Sequence, residues 1–339
     1  MGQDASMTTV NAVAAFDGLP ISDPASLQDV RVPVPELRPH DVLVRVEAVS
    51  VNPVDVKVRS GLGKQTTPKV LGYDAAGVVE AIGGDVTTLS VGDEVYYAGD
   101  ITRSGSNTEL QAVDERIVAR KPATLSFPEA AALPLTSITA WEALFDRLRL
   151  DASSHGTLAV LGGAGGVGSI MIQLAKQLTG VRVLASAGKP ESRTWVSELG
   201  ADAVIDHHDL VASVEAVAPE GVDHLFSPAS QGNVEAFAEV VKPFGQIVAI
   251  DDPVGLDLMP LKGKSIAWLW ELMFTRSTYT TPDIAEQQRL LGEVAALVDA
   301  GRIRTTLTTT LDDFSAAGLR EAHRLVETGR TVGKIVVRR

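Results

Sequence analysis

A run of glycines from Gly162 to Gly168, GGAGGVG, constrains this chain more than any other feature, because an apolar strand leads into it and a helix leads out. TLAVL, Thr157 to Leu161, is a short apolar run. Val167 to Leu178 carries its apolar residues at helical spacing. Gly163, Gly165 and Gly168 fit G-x-G-x-x-G in the context that pattern requires. On this reading Gly163 permits the tight turn, Gly165 lets a pyrophosphate approach the backbone, and Gly168 lets the helix pack closely on the strand. Gly166 and Val167 open the helix, where free N–H groups and the positive dipole end face an anion. Strands at Val181 to Ser186, Ala203 to Ile205 and Gln246 to Ile250, separated by helices at Glu191 to Leu199 and Asn233 to Val241, extend the pattern. Such alternation predicts βαβ units and a parallel sheet.

The expected ligand is a dinucleotide, bound as in a Rossmann unit. Its identity is decided where the second strand ends, about twenty residues past the glycines. An acidic residue there accepts from the ribose 2′-OH of NAD. This chain places Ser186 at that point, then Lys189 and Arg193, with Glu191 between them. A hydroxyl and two cations suit the 2′-phosphate of NADPH; the other reading is of ordinary solvated loop charges. Ile250 and Asp251 follow the strand from Gln246, at the carboxyl end of the sheet where the nicotinamide is expected.

A chain of 339 residues is longer than one compact core usually needs, so two domains are expected. The first 125 or so residues read as mostly β: DVLVRVEAVSV from Asp41 alternates as a half-buried strand, and short strands follow at Gly77 to Ala81 and Glu94 to Ala98. The pattern changes at Ser126, where Ser-x-x-Glu forms a capping box with a proline in the first turn. After Trp270 come a helix at Pro282 to Asp299, a strand near Arg304 to Thr310, a helix at Ser315 to Glu327 and a strand at Gly333 to Val337. The simplest partner for those strands is the N-terminal β domain. The expected boundaries are 1–126, 127–272 and 273–339, the last returning to the first.

A formal net charge of −13 argues against nucleic acid or an anionic membrane surface as partner. No apolar run reaches membrane-spanning length, and MGQDASMTTV has no signal-peptide pattern, so the expectation is a cytoplasmic protein. The chain contains no cysteine, which removes disulfides, thiolate catalysis and any metal site with a sulfur ligand.

With these residues assembled, the chain resembles the medium-chain dehydrogenase/reductase superfamily, in its quinone-oxidoreductase-like branch and the group called zinc-type alcohol dehydrogenase-like proteins. The matching stretches are VSVNPVDVKVRSG (Val49 to Gly61), LGYDAAGVVEAIG (Leu71 to Gly83), VGDEVYYAGD (Val91 to Asp100), LPLTSITAWEAL (Leu133 to Leu144), GGAGGVGS (Gly162 to Ser169) and TVGKIV (Thr331 to Val336). The resemblance implies an α/β fold: a GroES-like β-barrel-type domain and a doubly wound Rossmann domain. It implies hydride transfer between a nicotinamide cofactor and an alcohol, carbonyl, quinone or activated alkene. It also implies a homodimer, with SIAWLWELMF, Ser265 to Phe274, similar to the edge strand that joins subunits; the alternative is a strand buried within one subunit.

The zinc members of the family hold their metal with a cysteine near the start of the segment here reading Asn52 to Asp55, the histidine of Gly-His-Glu, and a second cysteine near the Rossmann junction. Here no cysteine is available, Gly72-Tyr73-Asp74 replaces Gly-His-Glu, and the region around Thr136 supplies no thiol. No metal is expected. His207 and His208 are adjacent, would point to opposite faces if they lay on a strand, and read as surface loop histidines. The resemblance makes Tyr73 a candidate proton donor or a packing residue. It places Asn52 and Thr139 near the nicotinamide, and Asp55 and Asp74 read as anchors of backbone N–H groups. The leading expectation is an NADPH-dependent, zinc-independent reductase of quinones or α,β-unsaturated carbonyl compounds. The alternatives are an alcohol dehydrogenase or carbonyl reductase of the same superfamily, and a non-catalytic NADPH-binding redox sensor.

Overall fold

A computed structural model describes residues 8–339; the first seven residues, on which most of the signal-peptide expectation falls, lie outside the described residues. The chain divides into two compact units, one running to Leu135 and resuming at Phe274, the other spanning Thr136 to Met273.

The 136–273 unit carries a six-stranded parallel sheet. Its strands are β1 (Thr157–Val160), β2 (Arg182–Ser186), β3 (Ala203–Ile205), β4 (Val222–Ser227), β5 (Val241–Ala249) and β6 (Ala267–Trp270). The spatial order is β3-β2-β1-β4-β5-β6, the doubly wound Rossmann arrangement. Four helices make the crossovers in chain order: α1 (Gly166–Leu178), α2 (Pro190–Glu198), α3 (Leu210–Val217) and α4 (Val234–Val240). The order in which successive strands are added reverses between β1 and β4, so the loops after these two strands flank the switch point where such sheets bind ligands. The middle strands are buried on both faces: Leu158, Ala159, Val160, Leu225, Ile247 and Val248 are almost fully inaccessible. That double burial explains why they read as continuous apolar runs rather than alternating ones.

β6 lies at the edge of the sheet, paired only with β5 among the described residues, and its last residue, Trp270, is half exposed. The strand is therefore shorter than the expected Ser265 to Phe274, and it lies at the sheet edge rather than buried within the subunit.

In the other unit the strand Asp41–Ser50 is the central element. It pairs antiparallel with Ala75–Ile82, with Leu110–Asp114 and with the C-terminal strand Lys334–Arg338, which in turn pairs with Leu307–Leu311. The last two strands thus return to the N-terminal β domain, giving the GroES-like part of the fold. A separate three-stranded sheet joins Thr9–Ala15 to Gln28–Pro33 and Lys69–Val70. Val42, Val44 and Val46 point into the core while Arg45 between them is exposed, the alternation of a half-buried strand.

The boundary near Ser126 is where the reading and the fold differ. The capping box forms as expected: the Ser126 N–H donates to the Glu129 carboxylate at 2.9 Å, and Ser126 Oγ accepts from the Glu129 N–H. The helix it starts, Phe127–Ala131, nevertheless belongs to the β unit. Thr305 Oγ1 donates to the Glu129 carbonyl at 2.9 Å and Thr306 Oγ1 to that of Ala132 at 3.3 Å. A cap marks where a helix begins; these hydroxyls decide which core it packs on.

Candidate active site

The glycine loop closes the end of β1 onto the start of α1. Gly162 has φ of +64°, and this left-handed residue makes the turn. Gly163 lies in the same turn, without a positive φ. A Cβ on it would lie 2.9 Å from Ala185 Cβ and 3.1 Å from the Ser186 carbonyl oxygen, so its bareness lets the loop lie against β2. Gly168 is the tightest position: a Cβ there would sit 2.4 Å from the Gly162 carbonyl oxygen and 2.7 Å from Gly163 Cα. Gly165 is the helix N-cap and meets only the Gly162 carbonyl oxygen, at 3.3 Å, which leaves its other side open to a phosphate. Gly166 and Val167 follow as the half-exposed first turn, whose N–H groups have no intrahelical acceptor. The loop therefore offers what a pyrophosphate needs: backbone donors, a dipole and no side chains in the way.

Ser186 ends β2 and is buried; its hydroxyl accepts from the Gly162 N–H at 2.9 Å. It braces the loop directly, a role that residue type alone did not disclose. Lys189 and Arg193 stand exposed just beyond, Lys189 as the N-cap of α2 and Arg193 in its first turn. Arg193 also reaches back to the Ala187 carbonyl at 3.2 Å. Ile250 follows β5, and its N–H donates to the Ser227 carbonyl at 3.1 Å. The Asp251 carboxylate accepts from the Ser230 N–H at 2.5 Å and from Ser230 Oγ at 2.7 Å, tying together the loops that follow β4 and β5. Thr139 is buried in the helix Pro134–Trp141. All these cofactor candidates lie in the 136–273 unit.

The second constellation lies in the β unit and is almost wholly buried. Asn52 caps the helix Pro53–Ser60, and its N–H donates to Asp55 Oδ2 at 2.8 Å. Its side-chain amide donates to Asp74 Oδ2 at 2.8 Å. Asp74 Oδ1 accepts from the Leu135 N–H, also at 2.8 Å. From the C-terminal strand, Lys334 reaches into the same cluster: its ammonium donates to Asn52 Oδ1, lies 3.3 Å from Asp74 Oδ2, and donates to the Val51 carbonyl at 3.3 Å. Gly72, at φ +112°, lets the preceding loop pass within contact of Ser106 and Asn107, and so delivers Tyr73 and Asp74 to this cluster.

Tyr73 is fully buried, edge-on to Phe274 with ring centroids 5.4 Å apart, and its hydroxyl has no hydrogen-bond partner among the described residues. Burial, then the negative charges of Asp55 and Asp100, push its ionisation upward, so it remains a neutral phenol able to donate. Asp55 Oδ1 is likewise buried without a partner. Burial pushes the Asp55 carboxyl up to about 7, held back by the N–H of Asn52, the charge of Lys334 and the N–H of Gly72.

Sequence reading missed Lys334, although TVGKIV was in view. The available signal was a lysine opening the buried strand KIVV; nothing local could show that Asn52 and Asp74 surround it.

The alcohol dehydrogenase GroES-like domain family matches residues 38–123, and the zinc-binding dehydrogenase family matches 199–337. Over 317 residues the chain is 40% identical to a zinc-type alcohol dehydrogenase-like protein of Staphylococcus aureus, covering 91% of this chain and 92% of the relative. The chain belongs to the medium-chain dehydrogenase/reductase superfamily. A 2-methylene-furan-3-one reductase of Solanum lycopersicum is 34% identical over 90% of this chain and 74% of that protein. Among solved structures, a Rhizobium etli CFN 42 protein assigned to the zinc-dependent alcohol dehydrogenases superposes with a TM-score of 0.94 at 49% identity, covering 98% of this chain and 99% of its own. The quinone oxidoreductase of Coxiella burnetii superposes with a TM-score of 0.82 at 27% identity, covering 98% and 100%. The chain is an oxidoreductase of the quinone-oxidoreductase-like branch of this nicotinamide-dependent superfamily.

Zinc is the group that such relatives imply by name, and the residues here do not fit it. The positions aligned with zinc ligands hold no thiol or imidazole, and the nearest carboxylate, Asp74, is occupied by Leu135, Asn52 and a buried ammonium. Among the described residues one group has metal-ligand character: Asp206, His207 and His208, with ligand atoms within 4.8 Å of one another. The two histidines form a 3₁₀ turn at the surface, where surface histidines were expected, and their ring centroids are 4.1 Å apart, so the opposite faces of a strand do not apply to them. Both are exposed, and Asp206 already caps their turn through the His208 N–H. No helix of the described residues is long and apolar enough to cross a membrane.

Proposed function

We propose that this chain is an NADPH-dependent reductase of quinones or α,β-unsaturated carbonyl compounds that works without a metal. The observation that carries the reading is the Asn52–Asp74–Lys334 network. Where zinc relatives place metal ligands, this chain has a saturated hydrogen-bond cluster with its own fixed cation, beside a buried phenol that has a proton to give. A simple ketone or aldehyde concentrates the incoming charge on one oxygen and gains several kcal/mol from a Lewis acid. A conjugated acceptor spreads that charge away from the attacked atom, so a hydrogen-bond donor suffices. The name of the tomato relative specifies an enone, which agrees with this class.

A nicotinamide bound at the glycine loop supplies the hydride. The chain's own part is to bind and orient: the loop backbone and α1 hold the pyrophosphate, and Ser186 fixes the loop. Tyr73 donates to the acceptor oxygen, and its raised ionisation keeps the proton on the phenol until the acceptor becomes basic. Proton donors contribute about 10²–10⁴-fold in general, and with the delocalised charge of a quinone we expect the low end. Tyr73→Phe should therefore lower enone turnover by roughly a hundredfold or less and leave NADPH affinity unchanged. The assay is stopped-flow oxidation of NADPH, with a strong chelator present, against a panel of quinones, enones and simple aldehydes. Faster turnover of the aldehydes by the parent protein overturns the substrate class, and no turnover of any acceptor supports a non-catalytic binder.

Cofactor preference is a separate expectation. Lys189 and Arg193 flank the end of β2, where no acidic side chain occupies the Ser186 position. A charge-assisted contact to the 2′-phosphate contributes about 1.5–3 kcal/mol, roughly ten- to a hundredfold in affinity. NADPH should bind more tightly than NADH by that factor, and Lys189→Ala with Arg193→Ala should erase the difference. Equal dissociation constants in the parent protein refute it.

A further inference from the structure

We propose that Lys334 is a positioning residue for the reduction, acting through Asn52 to hold Tyr73 in place. The inference rests on the reading of Tyr73 as the donor, and begins from an accounting of donors and acceptors.

An ammonium has three hydrogens and no acceptor; a carboxylate has only acceptors; a side-chain amide has one of each kind of end. Lys334 Nζ faces three oxygens: Asn52 Oδ1, Asp74 Oδ2 and the Val51 carbonyl. Asp74 faces three donors: the Leu135 N–H, the Asn52 amide and Lys334 itself. Each group is saturated only if Lys334 carries its proton and Asp74 does not. Burial on balance moves the carboxyl up and the ammonium down, and each shift is opposed by the charge of the other and by these hydrogen bonds. The pair is buried, with Lys334 only 4% exposed and Asp74 fully inaccessible, so removing one member strands the other.

The consequence falls on Asn52. Its amide has two possible orientations, and the ion pair permits one: Oδ1 toward the ammonium, Nδ2 toward the carboxylate. In that orientation Nδ2 also lies 3.4 Å from the Tyr73 carbonyl oxygen. The Asn52 N–H, through Asp55 Oδ2, fixes the start of the helix Pro53–Ser60 as well. Asn52 thus joins the backbone of Tyr73 to the helix N-terminus. Lys334, from a strand about 280 positions away, sets which way the amide turns. Without the ammonium the buried carboxylate binds a proton, becomes a donor, and no longer specifies that orientation.

The test is a double-mutant cycle on turnover with whichever acceptor the parent protein reduces, so that failure of the substrate reading and failure of this one are separate results. Lys334→Met should lower kcat by roughly a hundredfold, the scale of misplacing a reacting group. The KM for acceptor and the dissociation constant for NADPH should change by less than about threefold, because binding groups are untouched. Asn52→Leu should produce a comparable loss. The double variant should be no worse than the poorer single one, as expected for residues acting in series. Lys334→Arg, which keeps the charge, should recover turnover to within about tenfold of the parent, whereas a role in packing alone gives no such rescue. Additive losses in the double variant, or Lys334→Arg as inactive as Lys334→Met while still binding NADPH, overturn the proposal. If the methionine variant does not fold, Lys334→Gln, which retains a donor for Asn52 without the charge, carries the same cycle with the same two deciding outcomes.

Discussion

Gly168→Val should abolish cofactor binding and lower the stability of the 136–273 unit together, the largest effect expected of any single substitution in the glycine loop. Every atom that a Cβ at Gly168 would meet within 2.8 Å is backbone: the Gly162 carbonyl oxygen, then Cα and the carbonyl carbon of Gly163. No flexible side chain can move aside, so α1 must lift from the end of β1. Overpacking of this kind costs about 1–3 kcal/mol where a core can adjust, and backbone adjusts less readily than side chains. The shift also moves the N–H groups of Gly166 and Val167, and the loss of even two charge-assisted hydrogen bonds to phosphate, at about 1.5–3 kcal/mol each, is more than a hundredfold in affinity. Gly165→Ala separates the two effects. Its Cβ meets only one atom, at 3.3 Å, so stability should stay near that of the parent while the methyl intrudes where the pyrophosphate approaches. All four tryptophans, Trp141, Trp195, Trp268 and Trp270, lie in this unit, and their fluorescence reports its unfolding selectively. A Gly168→Val protein that melts and binds NADPH like the parent overturns this account of the loop.

The glycine loop was legible because its constraints are local: seven consecutive residues, an apolar strand before them and a periodic helix after. Even there, the positive φ of the turn falls on Gly162, one residue ahead of the pattern, since a pattern records which positions must be bare and not whether φ or a neighbouring strand demands it. The parallel sheet was legible for the same reason, each βαβ unit being contiguous. The polar cluster was not. Asn52, Asp74 and Lys334 each sit in an ordinary-looking segment, and only the pairing of Lys334–Arg338 with Asp41–Ser50 brings the lysine beside the other two. The helix at Phe127 was placed correctly but its allegiance was not, because Thr305 and Thr306, which hold it, are far along the chain.

His323 was equally invisible, a histidine on one face of an amphipathic helix, and it governs the response of the β unit to acid. The ring is fully buried in Ala316–Glu327, and neither nitrogen has a partner among the described residues. Burial, and then the adjacent Arg59 guanidinium, lower its ionisation from 6.5 to about 3. A base whose affinity for protons is lower in the folded state stabilises the fold fully above its unfolded value and loses that contribution as the pH falls toward the folded one. The window is thus pH 6.5 down to 3, and the whole loss is on the order of 5 kcal/mol at about 1.4 kcal/mol per unit.

Asp55 works in the opposite sense. Its carboxyl, raised from 3.8 to about 7, contributes stability that is complete below 3.8 and is lost as the pH rises through 7. The two opposing slopes overlap between pH 3.8 and 6.5, so the parent profile alone conceals both, and single variants expose them. Relative to the parent, His323→Leu should gain roughly 2–3 kcal/mol when the pH is lowered from 6.5 to 4.5, and Asp55→Asn should lose a similar amount over the same interval. Tyr73, Tyr96, Tyr97 and Tyr279 all lie in the β unit, so near-ultraviolet tyrosine dichroism during denaturant titration reads this unit while tryptophan fluorescence reads the other. The acid response of His323→Leu should appear in the tyrosine signal and leave the tryptophan midpoint in place. A stability difference between parent and His323→Leu that is the same at both pH values shows that His323 does not take up a proton on unfolding, and its burial then has no bearing on acid stability.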